Sequence, residues 1–295
     1  MMSSNRRERA LAGFLIALAA AGCLASARAA ENVKTGGPYV PTPQVVVDQM
    51  LRFANVGETD YVIDLGSGDG VIVLSAAKQY KAGGMGVDID ADLVRQSNAA
   101  AQKQGVADRV RFVQLDVFKA DLSRASVLTL YLLPGMMLNL RPKLFNELKP
   151  GVRMVSHDYH LGDWRPDDTL TFDVPEKENV TGVPAATVYL WIVPAKIAGT
   201  WEIKVTGGET YELTLRQRFQ TVEGSVTSAG KALRPPQLTL RGNDFSFAVQ
   251  DGKGIARFAG RVKDDAMEGA VELPAAKSPA RWTAVRTAAG VVAVE

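Results

Sequence analysis

Residues 62 to 70 read VIDLGSGDG: an apolar run carrying one acid, then glycines at positions 66, 68 and 70. A short buried strand that hands over to a stretch with almost no side chains, and then to an alanine-rich helical pattern, fits few folds. Glycine admits positive φ and lets ligand atoms approach the main chain. Open α/β sheets place such a turn at the carboxyl end of the first strand, where nucleotide-like ligands bind. A pyrophosphate loop would carry a third glycine where Val71 stands, and a P-loop would need Gly-Lys-Ser/Thr. Asp64 and Asp69 would repel a polyphosphate, whereas a cation would be attracted by both.

The chain around this loop alternates two patterns. Val45, Val46, Met50, Leu51 and Phe53 recur at helical spacing after Thr42-Pro43, with Thr42 as the expected cap and Pro43 as the first helical residue. Strand-like runs follow at Tyr61–Leu65, Gly84–Ile89, Val110–Leu115, Ser126–Leu132 and Val152–Ser156. Helical patterns lie after Gly70, over Ala91–Gln104 and over Leu138–Leu148. This alternation predicts a mostly parallel sheet covered on both faces. Residues 161–168 are too short and turn-rich for a covering helix, so Leu170–Val174 and Ala186–Val193 are expected as an antiparallel hairpin at the sheet edge. After Pro194 the period changes to two, as in Trp201, Ile203, Val205 and again in Tyr211, Leu213, Leu215. Turn signals punctuate these runs, which predicts a small all-β barrel or sandwich of seven or eight strands over residues 199–295. The α/β domain is expected over residues 38–196.

S-adenosylmethionine carries a sulfonium and an ammonium and no phosphate, so an acid ahead of the glycines suits it. Gly66, Ser67 and Gly68 form the bare backbone, and Asp64 faces the positive charge. Asp88, about 20 residues on at the end of the second strand, is placed to accept from both ribose hydroxyls. Asp116 can accept from the adenine amino group, with Ile89 and Val117 offering apolar faces to the ring.

The segments VIDLGSGDG, GMGVDID and GVADRVRFVQLDVF, in that order and spacing, resemble motif I, the acidic motif after it and the adenine motif of class I S-adenosylmethionine-dependent methyltransferases. The resemblance implies a Rossmann-like sheet in strand order 3-2-1-4-5-7-6. PYVPTPQVV before the loop and LTLYLLPGMMLNLRPKLFNELKPGVRMVSHDYHLGDW after it are similar to the lysine methyltransferases that act on the ATP-synthase c-subunit and the adenine nucleotide translocase, and to their bacterial relatives. That closer likeness spans about Pro38 to Asp167 and implies N-methylation of a protein lysine. It does not reach the β domain. An exported ligand-binding module without turnover and a small-molecule methyltransferase are the alternatives.

Methyl transfer depends mostly on holding the acceptor in line with the reactive sulfonium. The fourth strand ends in Leu130-Tyr131-Leu132-Leu133-Pro134, without the Asn/Asp-Pro-Pro-Tyr of enzymes that act on adenine or amide nitrogen. Both histidines fall in Ser156-His157-Asp158-Tyr159-His160, at the end of the fifth strand. His157, Asp158 and Tyr131 are the candidate catalytic residues: His157, Asp158 or His160 to accept a proton or orient the acceptor, Tyr131 and Tyr39 to line the methyl pocket. A hydrogen-bonded strand terminus is the competing reading of the histidine stretch. Trp164 reads as a structural lid residue. No carboxylate cluster of clear ligand spacing accompanies the histidines, so no metal is expected.

Residues 1–29 carry Arg6, Arg7 and Arg9, then an apolar stretch, then Ala27-Arg28-Ala29. That order reads as a secretory signal peptide, and its apolar core is too short to span a bilayer comfortably. Export to the periplasm or envelope is therefore expected. Lipidation at Cys23, retention as an anchor and a cytoplasmic location are the alternatives, and the paired arginines loosely resemble a twin-arginine leader. Removing the leader takes four arginines and one glutamate from a chain of formal charge +2, leaving it close to neutral. Such a balance offers no electrostatic footprint for nucleic acid. The single cysteine lies in the leader, so the remainder has neither disulfide nor thiolate.

Overall fold

The computed structural model describes residues 39–233, 237–274 and 276–294. The signal peptide expected over residues 1–29 lies outside them. The chain divides into two compact units, Met1–Pro41 and Thr42–Glu295. Tyr39 falls in the first, and all that follows concerns the second.

Helix α1 (Gln44–Phe53) starts one residue later than its sequence implies, with Pro43 rather than Thr42 at the N-cap and no side-chain cap. Pro43 is extended (φ −55°, ψ 142°), and its carbonyl accepts from Val46 and Val47, so the threonine is one position too far out to cap. The sheet then alternates with helices: β1 (Tyr61–Leu65), α2 (Val71–Tyr80), β2 (Gly83–Asp88), α3 (Ala91–Lys103), β3 (Val110–Gln114), β4 (Val127–Leu130), α4 (Pro134–Glu147) and β5 (Arg153–His157). After them come β6 (Asp168–Asp173), the short α5 (Glu178–Thr181) and β7 (Ala185–Ile192). The order is β3-β2-β1-β4-β5-β7-β6. Strands β1 to β5 pair in parallel, and β7 runs antiparallel to both neighbours, so the edge hairpin forms as expected.

Helix α4 begins four residues before the helical pattern does, because Pro134 occupies its first turn. Pro142 sits inside it and cannot donate to the Leu138 carbonyl. Arg141 Nε supplies a donor there instead, at 3.3 Å.

The second sheet contains β8 (Gly199–Val205), β9 (Thr210–Arg218), β10 (Thr221–Ser228), β11 (Lys231–Ala232), β12 (Gln237–Arg241), β13 (Asp244–Asp251), β14 (Gly254–Lys263), β15 (Ala266–Glu272), β16 (Ala280–Ala289) and β17 (Val292–Ala293). Its path runs β11-β10-β9-β8-β16-β15-β14-β13-β12, with β17 added in parallel to β9. First and last long strands pair (β8 with β16), and β10 approaches β12 at the seam. One core fills the interior, with Trp201, Leu213, Val226, Leu240, Phe247, Phe258 and Trp282 all in it. The fold is thus a single curled antiparallel sheet. Patterning called for seven or eight strands and the described residues form ten; β11 and β17, of two residues each, are too short to alternate.

The barrel is packed onto the α/β layer rather than tethered to it. Phe219, at the turn between β9 and β10 with φ of 50°, stacks on Trp164 at 4.8 Å and meets Phe145 of α4 edge-on at 5.8 Å. Trp164 is fully buried, so it is a core residue and not a lid. Asp163 beside it is paired with both Arg141 of α4 and Arg218 of β9. Gln217 is buried and uses every polar site it has: Oε1 accepts from Ile197 and Ala198, and Nε2 donates to the carbonyls of Ala195 and Phe219.

Candidate active site

The glycine loop leaves β1 at the carboxyl edge of the sheet. Gly66, Gly68 and Gly70 have φ of 82°, 52° and 82°, values that side chains disfavour. A Cβ on Gly66 would stand 2.6 Å from Leu132 Cδ2. Backbone donors of Gly66 and Ser67 bind the Val87 carbonyl at 2.8 and 3.0 Å, which ties the loop to β2. The Ser67 hydroxyl is buried against Gly86 and has no partner among the described residues, so Ser67 serves the loop through its main chain. Ser97 of α3 donates to the Gly68 carbonyl at 3.0 Å.

Asp88, at the last position of β2, is oriented from two sides. Its Oδ2 accepts from Gly68 N at 2.8 Å and its Oδ1 from Asp90 N at 2.9 Å. Each carboxylate oxygen retains acceptor capacity, as a pair of ribose hydroxyls requires. Asp116 follows β3 half-buried, with Oδ1 accepting from Phe118 N at 3.0 Å. Ile89 beside this edge is 47 % exposed, whereas Val117 is only 6 % exposed and belongs to the core. The open apolar face there is therefore that of Ile89.

Asp64 is the most strongly perturbed group of the loop. It is 2 % exposed, and among the described residues its hydrogen-bond donor is the Thr129 hydroxyl of β4, at 2.6 Å. Burial pushes the carboxyl up to about 7, with the charges of Asp88 and Asp69 adding to the effect and Thr129 opposing it. A buried acid that faces two other acids, with no cation beside it among the described residues, is stabilised in its charged form when a positive group arrives.

On the acceptor side, Tyr131 directly follows β4 and His157 ends β5, the two strands being adjacent and parallel. Their rings lie 4.1 Å apart, and Tyr159 stacks on Tyr131 at 6.1 Å. Burial, then the nearby Asp158 charge, pushes the Tyr131 phenol up to about 12, so it keeps its proton. His157 is 1 % exposed, and burial takes its imidazole down to about 4 against the pull of Asp158, with Lys177 lowering it further. Asp158 has φ of 60°, and its Oδ1 accepts from Thr187 N at 3.0 Å. His160 is separate: its Nδ1 accepts from Gly162 N at 2.9 Å and its ring meets Tyr189. Tyr39 belongs to the other unit.

Two functional-looking residues escaped sequence reasoning. Thr129 is a lone hydroxyl in an otherwise apolar strand, VLTL, and that irregularity is a readable signal. Lys177 sits in a polar turn, Pro175–Lys177, where nothing local distinguishes it from a solvent-facing lysine, yet it is 3 % exposed.

A glycine cradle, an oriented ribose acid and a buried carboxyl awaiting a cation fit S-adenosylmethionine and do not fit a nucleoside polyphosphate. Sheet order and site together define a class I S-adenosylmethionine-dependent methyltransferase. The ANTKMT methyltransferase domain family matches residues 64–168. A protein-lysine N-methyltransferase of Saccharolobus islandicus is 40 % identical over 157 residues, which cover 53 % of this chain and 93 % of that one. The adenine nucleotide translocase lysine N-methyltransferase of Mus musculus is 32 % identical over 44 % of this chain, which spans 56 % of that enzyme's length. A crystal structure described as an RNA methyltransferase from Salinibacter ruber, in complex with S-adenosyl-L-homocysteine, is 49 % identical, with a TM-score of 0.48 over 54 % of this chain and 96 % of that one. This chain belongs to the S-adenosylmethionine-dependent protein-lysine N-methyltransferase family.

Proposed function

We propose that the acceptor is the ε-amino group of a lysine in a protein substrate, received at the edge formed by Tyr131, His157 and Asp158. The observation that carries this reading is the pairing of a neutral wall with a buried acid on adjacent strands. Tyr131 and His157 are both uncharged at neutral pH, and Thr129, two residues before Tyr131, holds Asp64. A neutral aromatic wall accepts an amine without repelling the cofactor's positive charge.

S-adenosylmethionine supplies the methyl group when bound. Asp64 and the loop from Gly66 to Gly68 would hold its cationic end, Asp88 its ribose, and Asp116 with Ile89 its base. Bound there, the cofactor would supply an electrophilic methyl group to a lysine that arrives as the free amine, with S-adenosylhomocysteine as the leaving product, and the residues of this edge would hold that amine in line. Tyr131 offers its hydroxyl as a donor or as a face, and Asp158 fixes the turn beside it. The order of residues in 1–29, basic then apolar then Ala27-Arg28-Ala29, supports a periplasmic or envelope location for this activity.

Incubating the full chain with tritiated-methyl S-adenosylmethionine and an Escherichia coli extract tests the acceptor class. Label that resists ribonuclease, is lost with protease and runs as methyllysine after acid hydrolysis supports the proposal. Label confined to RNA or to small molecules overturns it.

A further inference from the structure

Lys177 is a charged residue at 3 % exposure, and burying an ammonium is tolerated only when its donors are matched. All three are. Nζ donates to Asp158 Oδ2, to the Ala185 carbonyl at 2.8 Å and to His157 Nε2 at 3.2 Å. An ammonium can only donate, so this contact is a hydrogen bond when Nε2 carries the lone pair and Nδ1 the proton; Nδ1 has no partner among the described residues. Asp158 is held through both oxygens, by Thr187 N and by Lys177, in a left-handed conformation with φ of 60°. Lys177 thus bridges the turn after β5 to the ring that Tyr131 lies against.

We propose that Lys177 is a positioning residue for methyl transfer: its ammonium cancels the Asp158 charge and fixes His157 as the Nδ1–H tautomer, so that the wall beside Tyr131 stays neutral and in place. The inference rests on the acceptor reading given above. His157 then orients rather than accepts a proton, since its basic nitrogen is engaged. Among the described residues, Glu176 and Glu178 flank Lys177 in its turn and are exposed. Asp158 stands 3.4 Å from Nε2, Tyr131 and Tyr159 are phenols, and Asp48 of the covering helix α1 is turned to Gln44 and Gln79. Arg52 of α1 is exposed.

The chain has two histidines, so their carbon-bound ring protons are resolved by NMR, with a His160→Gln variant for assignment. In Lys177→Met the bare Asp158 carboxylate faces the imidazole, and the His157 titration midpoint is expected to rise by about one to two pH units. Adding Asp158→Asn removes that charge and is expected to return the midpoint to its low value, which a loosened fold would not do. Methyl incorporation from tritiated S-adenosylmethionine into the E. coli extract is expected to fall about 10-fold or more in Lys177→Met, with the loss greatest at acid pH, while S-adenosylmethionine affinity stays within about twofold. An unchanged midpoint in Lys177→Met, or one that stays raised in the double variant, overturns the charge argument. A shifted midpoint with wild-type incorporation overturns the positioning role. Absence of incorporation by the wild-type chain overturns the acceptor reading instead, and the NMR result still decides whether Lys177 cancels the Asp158 charge at His157.

Discussion

Replacing Asp64 by asparagine should make the cofactor-free protein more stable and a worse binder. The carboxyl moves from 3.8 to about 7 on folding, chiefly by burial. At 1.36 kcal/mol per unit, the fold disfavours the ionised form by roughly 4 kcal/mol. A raised carboxyl leaves stability untouched below the unfolded value, reduces it as pH climbs from about 4 to 7, and reduces it no further above. Asp64→Asn removes that cost and keeps an oxygen for the Thr129 hydroxyl, but its amide donors enter a buried site at a penalty of about 1–3 kcal/mol. The net gain expected at pH 8 is about 1–3 kcal/mol, read from urea unfolding without cofactor, with no such gain at pH 4. S-adenosylmethionine affinity, by calorimetry at pH 8, should drop about 10- to 100-fold as the charge that meets the cation is lost. A variant less stable than wild type at pH 8, or one that binds equally well, would refute the reasoning.

Other perturbations test the frame around the site. Gly66→Ala places a methyl 2.6 Å from Leu132 Cδ2 at a φ of 82°, and urea unfolding should report a loss of about 2–4 kcal/mol together with weakened cofactor binding. Phe219→Ala opens the seam between the barrel and α4, where its ring lies on Trp164; a loss of about 3–5 kcal/mol is expected, with Trp164 emission shifted to the red.

How much of this was legible follows from where each signal resides. Glycines 66, 68 and 70 announce their backbone because few other residues tolerate it, and Asp88 is fixed by its strand-end position, so the cofactor side could be read from a linear string. Period-two runs gave away the second sheet for the same local reason. Lys177 and Gln217 could not be read, because their meaning comes from partners about 20 residues away across a turn or linker: Asp158 and His157 for the one, Ile197 and Ala195 for the other. Trp164 read as a lid because its cover, Phe219, arrives 55 residues later from another sheet. Thr42 was displaced as a cap by its own neighbour, since Pro43 is extended and supplies the first accepting carbonyl itself.

Calorimetric titration of the full chain with S-adenosylmethionine and, separately, with ATP tests most directly whether the loop after β1 is a seat for a cationic nucleoside. Micromolar S-adenosylmethionine binding, weakened about 30-fold or more by Asp88→Ala, with no heat from ATP, is the result expected when two oriented acids recognise ribose and positive charge. Tight ATP binding, or S-adenosylmethionine binding indifferent to Asp88, would contradict it.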